Sequence, residues 1–120
     1  MERDFLIALS QYTQQAYKEF YLLCIGLVAG AKALQSDWQL AYAYYLKAFA
    51  EMTFLNARKL GVTLKEDFDS SEGDFGEKFF HLKAKTSIGK CKRVLVASGQ
   101  VDSLIGEAIS TMEGQLKQES

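Results

Sequence analysis

Apolar residues recur at steps of three and four along most of the 120-residue chain, which is the period of an amphipathic α-helix. Serine, glycine and acidic residues interrupt this pattern at places that are typical of helix ends and turns. The pattern predicts four helices, at about residues 3–34, 36–60, 72–98 and 101–117. The stretch between the second and third helices, residues 61–73, has no period and is predicted to be an acidic loop.

The first predicted helix carries one apolar stripe over its whole length, and its second half is apolar on every side. The stripe consists of Phe5, Leu9, Tyr12, Ala16, Phe20, Leu23, Leu27, Gly30 and Leu34. In the second half, Leu22, Ile25 and Val28 make the remaining faces apolar, so this part must be surrounded or must contact another chain. Gly26 and Gly30 have the GxxxG spacing, which lets a neighbouring backbone approach closely.

The second helix has a start signal and a stop signal. The hydroxyl of Ser36 is placed to cap the helix, with Gln39 three residues later to complete a capping box. Gly61 follows the last periodic residue, where a glycine commonly ends a helix.

Aromatic and methionine side chains form one stripe on the second helix, which predicts the side that faces the core. The stripe consists of Trp38, Tyr42, Tyr45, Phe49 and Met52. Lys47, Glu51 and Arg58 fall on the opposite side and are therefore expected to face water. Asn56 lies within the stripe, and if it is buried it needs a hydrogen-bond partner.

The third helix, which Gly99 closes, has apolar residues on two faces near its start. Its main arc consists of Phe80, Ala84, Ser87, Ile88, Cys91, Val94 and Leu95. Phe75, Phe79 and Leu82 lie on a different face, so this part is sandwiched or offered to a partner. The fourth helix carries one stripe, formed by Val101, Leu104, Ile105, Ala108, Met112 and Leu116.

Four one-sided helices with short connections can bury their stripes only against each other. The economical arrangement is an all-α four-helix bundle with antiparallel up-and-down topology, whose first two helices are long. A chain of 13.5 kDa suits one domain with one core, so we expect residues 1–120 to form a single unit.

The surplus apolar surface predicts the class of function. Monomeric proteins rarely leave such patches uncovered, so we expect a non-catalytic protein-interaction module, or a subunit of a larger assembly. The partner is a protein, a second copy of the chain in a homo-oligomer, or both. The residues expected at the interface are Leu22, Ile25, Gly26, Val28, Gly30, Phe75, Phe79 and Leu82.

Charge leaves nucleic-acid contact open as an alternative. A net charge of -1 gives no overall attraction to a polyanion. However, basic residues cluster on the third helix, where Lys78, His81, Lys85, Lys92 and Arg93 form a candidate anion or nucleic-acid patch. Six acidic residues lie just upstream, and their field opposes polyanion binding unless the two groups face apart.

The only histidine, His81, suggests a further alternative. The run "HLKA" followed by "TSIG" resembles the motif of histidine phosphotransfer domains, which are small four-helix bundles that pass phosphate through an exposed helical histidine. The resemblance implies that His81 is the phosphoacceptor. Lys83 comes one position early for that motif and points to the other flank, because one residue turns a helix by about 100 degrees. Lys85, one turn after His81, could take its place.

Other chemistry has no signature in the sequence. No catalytic, metal-binding or cofactor-binding motif is present, so we expect a protein that is not an enzyme and has no cofactor and no metal. Cys24 and Cys91 lie in apolar surroundings and are interpreted as reduced core residues. The longest uncharged run, residues 20–31, is too short to cross a membrane, and the first residues lack the basic start of a secretory signal. These features favour a cytoplasmic protein without membrane contact.

Overall fold

The computed structural model describes residues 17–61, 76–99 and 103–118. Nearly all of them lie in four α-helices, and no strand occurs among them. The helices are α1 (Tyr17–Leu34), α2 (Asp37–Leu60), α3 (Glu77–Ser98) and α4 (Leu104–Gln118). The predicted all-α four-helix class is confirmed. The expected helical residues 3–16, 72–75 and 101–102, and most of the expected loop, lie outside the described residues.

Side-chain contacts show that neighbouring helices run antiparallel. Tyr21 of α1 reaches Glu51 of α2, whereas Lys32, further along α1, lies over the ring of Tyr44, which is earlier in α2. The contacts between α2 and α3 reverse in the same way, because Phe54 stacks on Phe80 and the backbone of Ala41 accepts a bond from Cys91. Helix α2 packs against all three other helices and is the centre of the bundle.

The predicted ends of α2 and α3 are confirmed. The Ser36 side chain accepts a bond from the backbone N–H of Gln39 over 3.4 Å, and Gly61 and Gly99 end α2 and α3 in the left-handed conformation. The capping box is only half formed, however. The side-chain oxygen of Gln39 is buried and meets no donor within the described residues, so it does not return the bond.

Large rings from three helices fill the middle of the core. The rings of Phe54 and Phe80 are stacked with centroids 4.9 Å apart, and Tyr21 meets both at an angle. The predicted apolar arc of α3 is buried throughout except at Val94, which is half-buried. Face-to-edge and offset ring contacts of this kind add stability beyond the area that they bury.

The prediction for the core-facing side of α2 was wrong. Of the aromatic stripe only Met52 is buried, while Trp38 is 53% exposed and the rings between them are half-buried on the outer side of the helix. Asn56 is exposed and needs no partner within the core. The inner side contains Glu51, which is fully buried, the large side chains of Tyr44, Phe54 and Leu55, and five small residues. These are Ala41, Ala43, Ala48, Ala50 and Ala57.

The alanines explain why the inner side was missed. A helix that is surrounded on three sides needs small side chains so that its neighbours can approach closely, and such residues add little to an apolar stripe. The large aromatic rings dominate the sequence pattern, although they lie half-buried at the edge of the bundle.

Two glycine substitutions should change stability in opposite directions. Gly61 has φ of +68°, so Gly61→Ala forces an alanine into the left-handed region and should lower the free energy of unfolding by about 1 kcal/mol. Gly26 lies inside α1, and a methyl group added there would meet none of the described atoms within 4 Å. Gly26→Ala should therefore raise the free energy of unfolding by up to about 1 kcal/mol. Urea unfolding followed by circular dichroism measures both. Equal effects of the same sign would contradict the assigned helix end.

Candidate functional site

A groove of about 260 Å³ lies between α3 and α4. Its floor is apolar, because Ile88 and Leu116 are buried side chains of the core. Half-buried His81 and exposed Lys85 stand along the α3 side, and exposed Lys117 stands on the α4 side. The groove therefore combines an apolar base with a polar rim.

The spacing of residues on the two helices produces this groove. On α3, His81, Lys85 and Ile88 follow one another at steps of four and three, which places them along one line of the helix. Gly89 lines the same groove, and a Cβ added there would meet none of the described atoms within 4 Å. A missing side chain at this position keeps the groove open.

The rim carries an excess of positive charge. Glu113, the one carboxylate at the rim among the described residues, accepts bonds of 3.0 Å from the Lys92 ammonium to both oxygens, and Lys117 lies 3.8 Å from one of them. Lys85 adds a third ammonium group. These groups are largely in water, so the ion pairs contribute little to stability, about 0–1 kcal/mol each, and mainly set the sign of the local field.

Only part of the predicted basic patch lies at the groove. Lys78 and Arg93 are exposed, and only His81 and Lys85 of the patch line the groove. Lys92 is bound to Glu113 at the same side of α3. A continuous row of uncompensated positive charge is therefore broken at Lys92.

The residues predicted for a partner interface fall into three groups. Leu22, Ile25 and Leu82 are 51%, 44% and 62% exposed, and Gly26 is exposed as well. Val28 is buried in the core. The other two described members, Gly30 and Phe79, are half-buried, and Phe79 packs edge-on against Phe80. Phe75 lies outside the described residues.

A buried polar cluster joins three helices, and the sequence pattern did not predict it. The Tyr21 hydroxyl of α1 donates to Glu51 Oε2 of α2 over 2.6 Å. Lys47, one turn before Glu51, donates to the same oxygen over 2.7 Å and to Ser87 Oγ of α3 over 3.0 Å. The i,i+4 spacing of Lys47 and Glu51 was visible in the sequence, but the predicted helix face placed both residues in water.

Burial determines the electrostatics of this cluster. Glu51 is 0% exposed, and its second oxygen, Oε1, has no hydrogen-bond donor among the described residues. Burial, followed by the charge of Glu51 and the hydrogen bond to it, raises the pKa of Tyr21 well above its usual value. The phenol therefore stays protonated as a donor, and its contribution to stability is present at neutral pH and lost only in strong alkali.

The contact between Lys47 and Ser87 is not a catalytic pair. Ser87 is 1% exposed, so no substrate reaches its hydroxyl, and the Lys47 Nζ atom lies 2.7 Å from Glu51 Oε2. A buried ion pair with a half-satisfied carboxylate is more consistent with a device that fixes helix register than with a reaction centre.

The two thiols are also in surroundings that disfavour the reactive thiolate form. Cys24 and Cys91 are free and fully buried, and burial raises the pKa of each to about 12. Cys91 donates to the backbone oxygen of Ala41 over 3.3 Å. No group of three or more His, Cys, Asp or Glu side chains in the described part of the chain could hold a metal ion. None of the four described helices is long and apolar enough to cross a membrane.

Removal of one member of the buried ion pair should be far more costly than removal of both. Lys47→Met leaves the buried Glu51 carboxylate without its cation and should lower the free energy of unfolding by about 3–5 kcal/mol. The double variant Lys47→Met/Glu51→Leu should recover most of that loss. The matched control is Lys92→Met, which removes an exposed ion pair and should cost at most about 1 kcal/mol. Urea unfolding curves that show equal losses for both lysines would contradict the assignment.

Comparison with known proteins gives no family for this chain. No protein-family model matches it, and no match was found among curated proteins or solved structures. Its function is therefore argued from its residues and their geometry.

Proposed function

We propose that the protein is a non-catalytic interaction module, acting as an adaptor or as a subunit of a larger assembly, and that it binds a partner protein in the groove between α3 and α4. The observation that carries the proposal is the open groove itself, whose buried floor of Ile88 and Leu116 offers apolar contact beneath a polar rim. An apolar centre with a polar rim is the usual anatomy of a protein interface.

The size of the groove favours side chains of a partner over a small molecule. Pockets that hold small ligands and cofactors usually measure about 300–1,000 Å³ and enclose most of the ligand. The groove, at about 260 Å³, is smaller and open along its length. It is large enough for a few side chains that project from another protein.

Exposed apolar residues extend the proposed contact surface. Leu82 is 62% exposed and precedes Gly89 by seven residues, so it lies on the same side of α3, two turns earlier. Leu22 and Ile25 form a separate exposed surface on α1. Self-association through that second surface stays a prediction, as does a cytoplasmic location.

Photo-crosslinking tests the proposal in the native cells of the protein. The photoreactive residue p-benzoylphenylalanine replaces Lys85, at the groove, or Lys90, which is also exposed but lies about 140 degrees further round α3. A discrete protein adduct is expected from position 85 and not from position 90.

A third variant shows whether that adduct depends on the groove. Gly89→Leu places a large side chain at the groove. A Cβ at this position meets none of the described atoms within 4 Å, and leucine favours helix more than glycine does. The adduct should therefore disappear while circular dichroism and the unfolding midpoint stay intact. The proposal fails if positions 85 and 90 give the same adducts, or if Gly89→Leu leaves the adduct unchanged.

Phosphotransfer through His81 is a second candidate, favoured by the position of His81 and Lys85 one turn apart in the same groove. Lys83 instead lies over the ring of Phe79 with its ammonium 5.5 Å from the centroid, away from the histidine. Incubation with acetyl phosphate should add one phosphoryl group to the native chain and none to His81→Gln, as measured by intact mass. An unmodified native chain removes this candidate and leaves the interaction module untouched.

A further inference from the structure

The sign of the charge around the groove and the shape of its floor identify the kind of partner that fits. We propose that the groove binds an acidic amphipathic α-helix, whose apolar side chains rest on Ile88 and Leu116 and whose carboxylates meet Lys85. This inference rests on the proposed function and specifies the chemistry of its partner.

The charges of the rim favour an acidic partner. The ammonium groups of Lys92 and Lys117 lie within 4 Å of the Glu113 carboxylate, whereas Lys85 lines the groove from α3. Glu113 already takes both bonds from Lys92, which leaves Lys85 on the opposite side of the groove to attract a negative group from outside. A carboxylate-bearing partner is attracted, and a basic one is repelled.

The shape of the surface favours a helical partner. Two packed helices present a shallow trough along their contact line, into which the ridge of a third helix packs. The polar line on α3 from His81 to Lys92 spans about three helical turns, or about 16 Å. A partner helix of similar length would place apolar residues at i, i+3 or i+4, and i+7 over the floor and acidic residues on the flank that faces Lys85.

Nucleic acid fits the same surface less well. A phosphate backbone uses rows of free cations and has no apolar ridge to cover the floor of the groove. Here the row is interrupted because Lys92 is neutralised by Glu113, and that carboxylate itself faces the groove. The apolar floor and the interrupted charge together favour an acidic helix.

A set of synthetic helical peptides tests the inference. Each peptide is about four helical turns long, and several versions place the apolar residues at different positions along the helix. Each version is made with flanking residues that are all Glu, all Gln or all Lys. Binding to the ¹⁵N-labelled protein is followed by NMR shift changes. The tightest binders should be Glu peptides, and their shift changes should centre on Ile88, Gly89 and Leu116.

Charge reversal at matched positions separates local recognition from overall charge. Lys85→Glu should weaken the best Glu peptide by about tenfold. Lys90→Glu makes the same change in net charge on the far side of α3 and should weaken it less than twofold. Gly89→Leu should abolish the binding of every register, and higher salt should weaken the Glu peptides only.

Several results would overturn the inference. Among these are equal binding of Glu and Lys peptides, equal effects of the two reversals, shift changes away from the groove, and no binding by any Glu peptide. If one of these results is found together with a groove-specific crosslink from position 85, the acidic-helix partner is excluded. The proposal that the protein is an interaction module is then kept. Nucleic acid is tested in parallel with a short DNA duplex, and tighter binding of the duplex than of any Glu peptide would also overturn the inference.

Discussion

The carboxylate of Glu51 lies at the centre of the bundle, fully removed from water, and this burial constrains how the helices meet. A buried charge is tolerated only when opposite charge and hydrogen bonds surround it. Lys47 supplies the charge from the same helix, Tyr21 donates from α1, and Ser87 holds Lys47 from α3. A shift of either outer helix by one turn would break these bonds, whereas the apolar contacts around them could re-form with other partners.

Much of the fold could be predicted because its helices follow simple rules. The period of the apolar residues gave four helices, and the start at Ser36 and the ends at Gly61 and Gly99 follow from local chemistry. The face of α2 could not be predicted in the same way. The position of α2 between three neighbours is a tertiary property, and it favours alanines such as Ala48 over the large rings that attract attention in a sequence.

In the candidate groove, too, the positions along one helix could be predicted, whereas the contacts between helices could not. His81 and Lys85 were expected on one wet flank of the third helix, and both stand there. The other wall comes from α4, and no pattern within the third helix indicates that Glu113 and Leu116 lie opposite, or that Lys92 is held by Glu113. Contacts between helices distant in sequence depend on packing, so only the structure brings these residues together.

The absence of a side chain at Gly89 has a consequence for how such a protein can diverge. The fold does not require a glycine there, because a Cβ added at this position would meet none of the described atoms within 4 Å and would favour the helix. A single codon change at this position could thus alter the depth of the groove without loss of the scaffold. The shape of the groove and the stability of the helix are separable at this position, so one can evolve while the other is conserved.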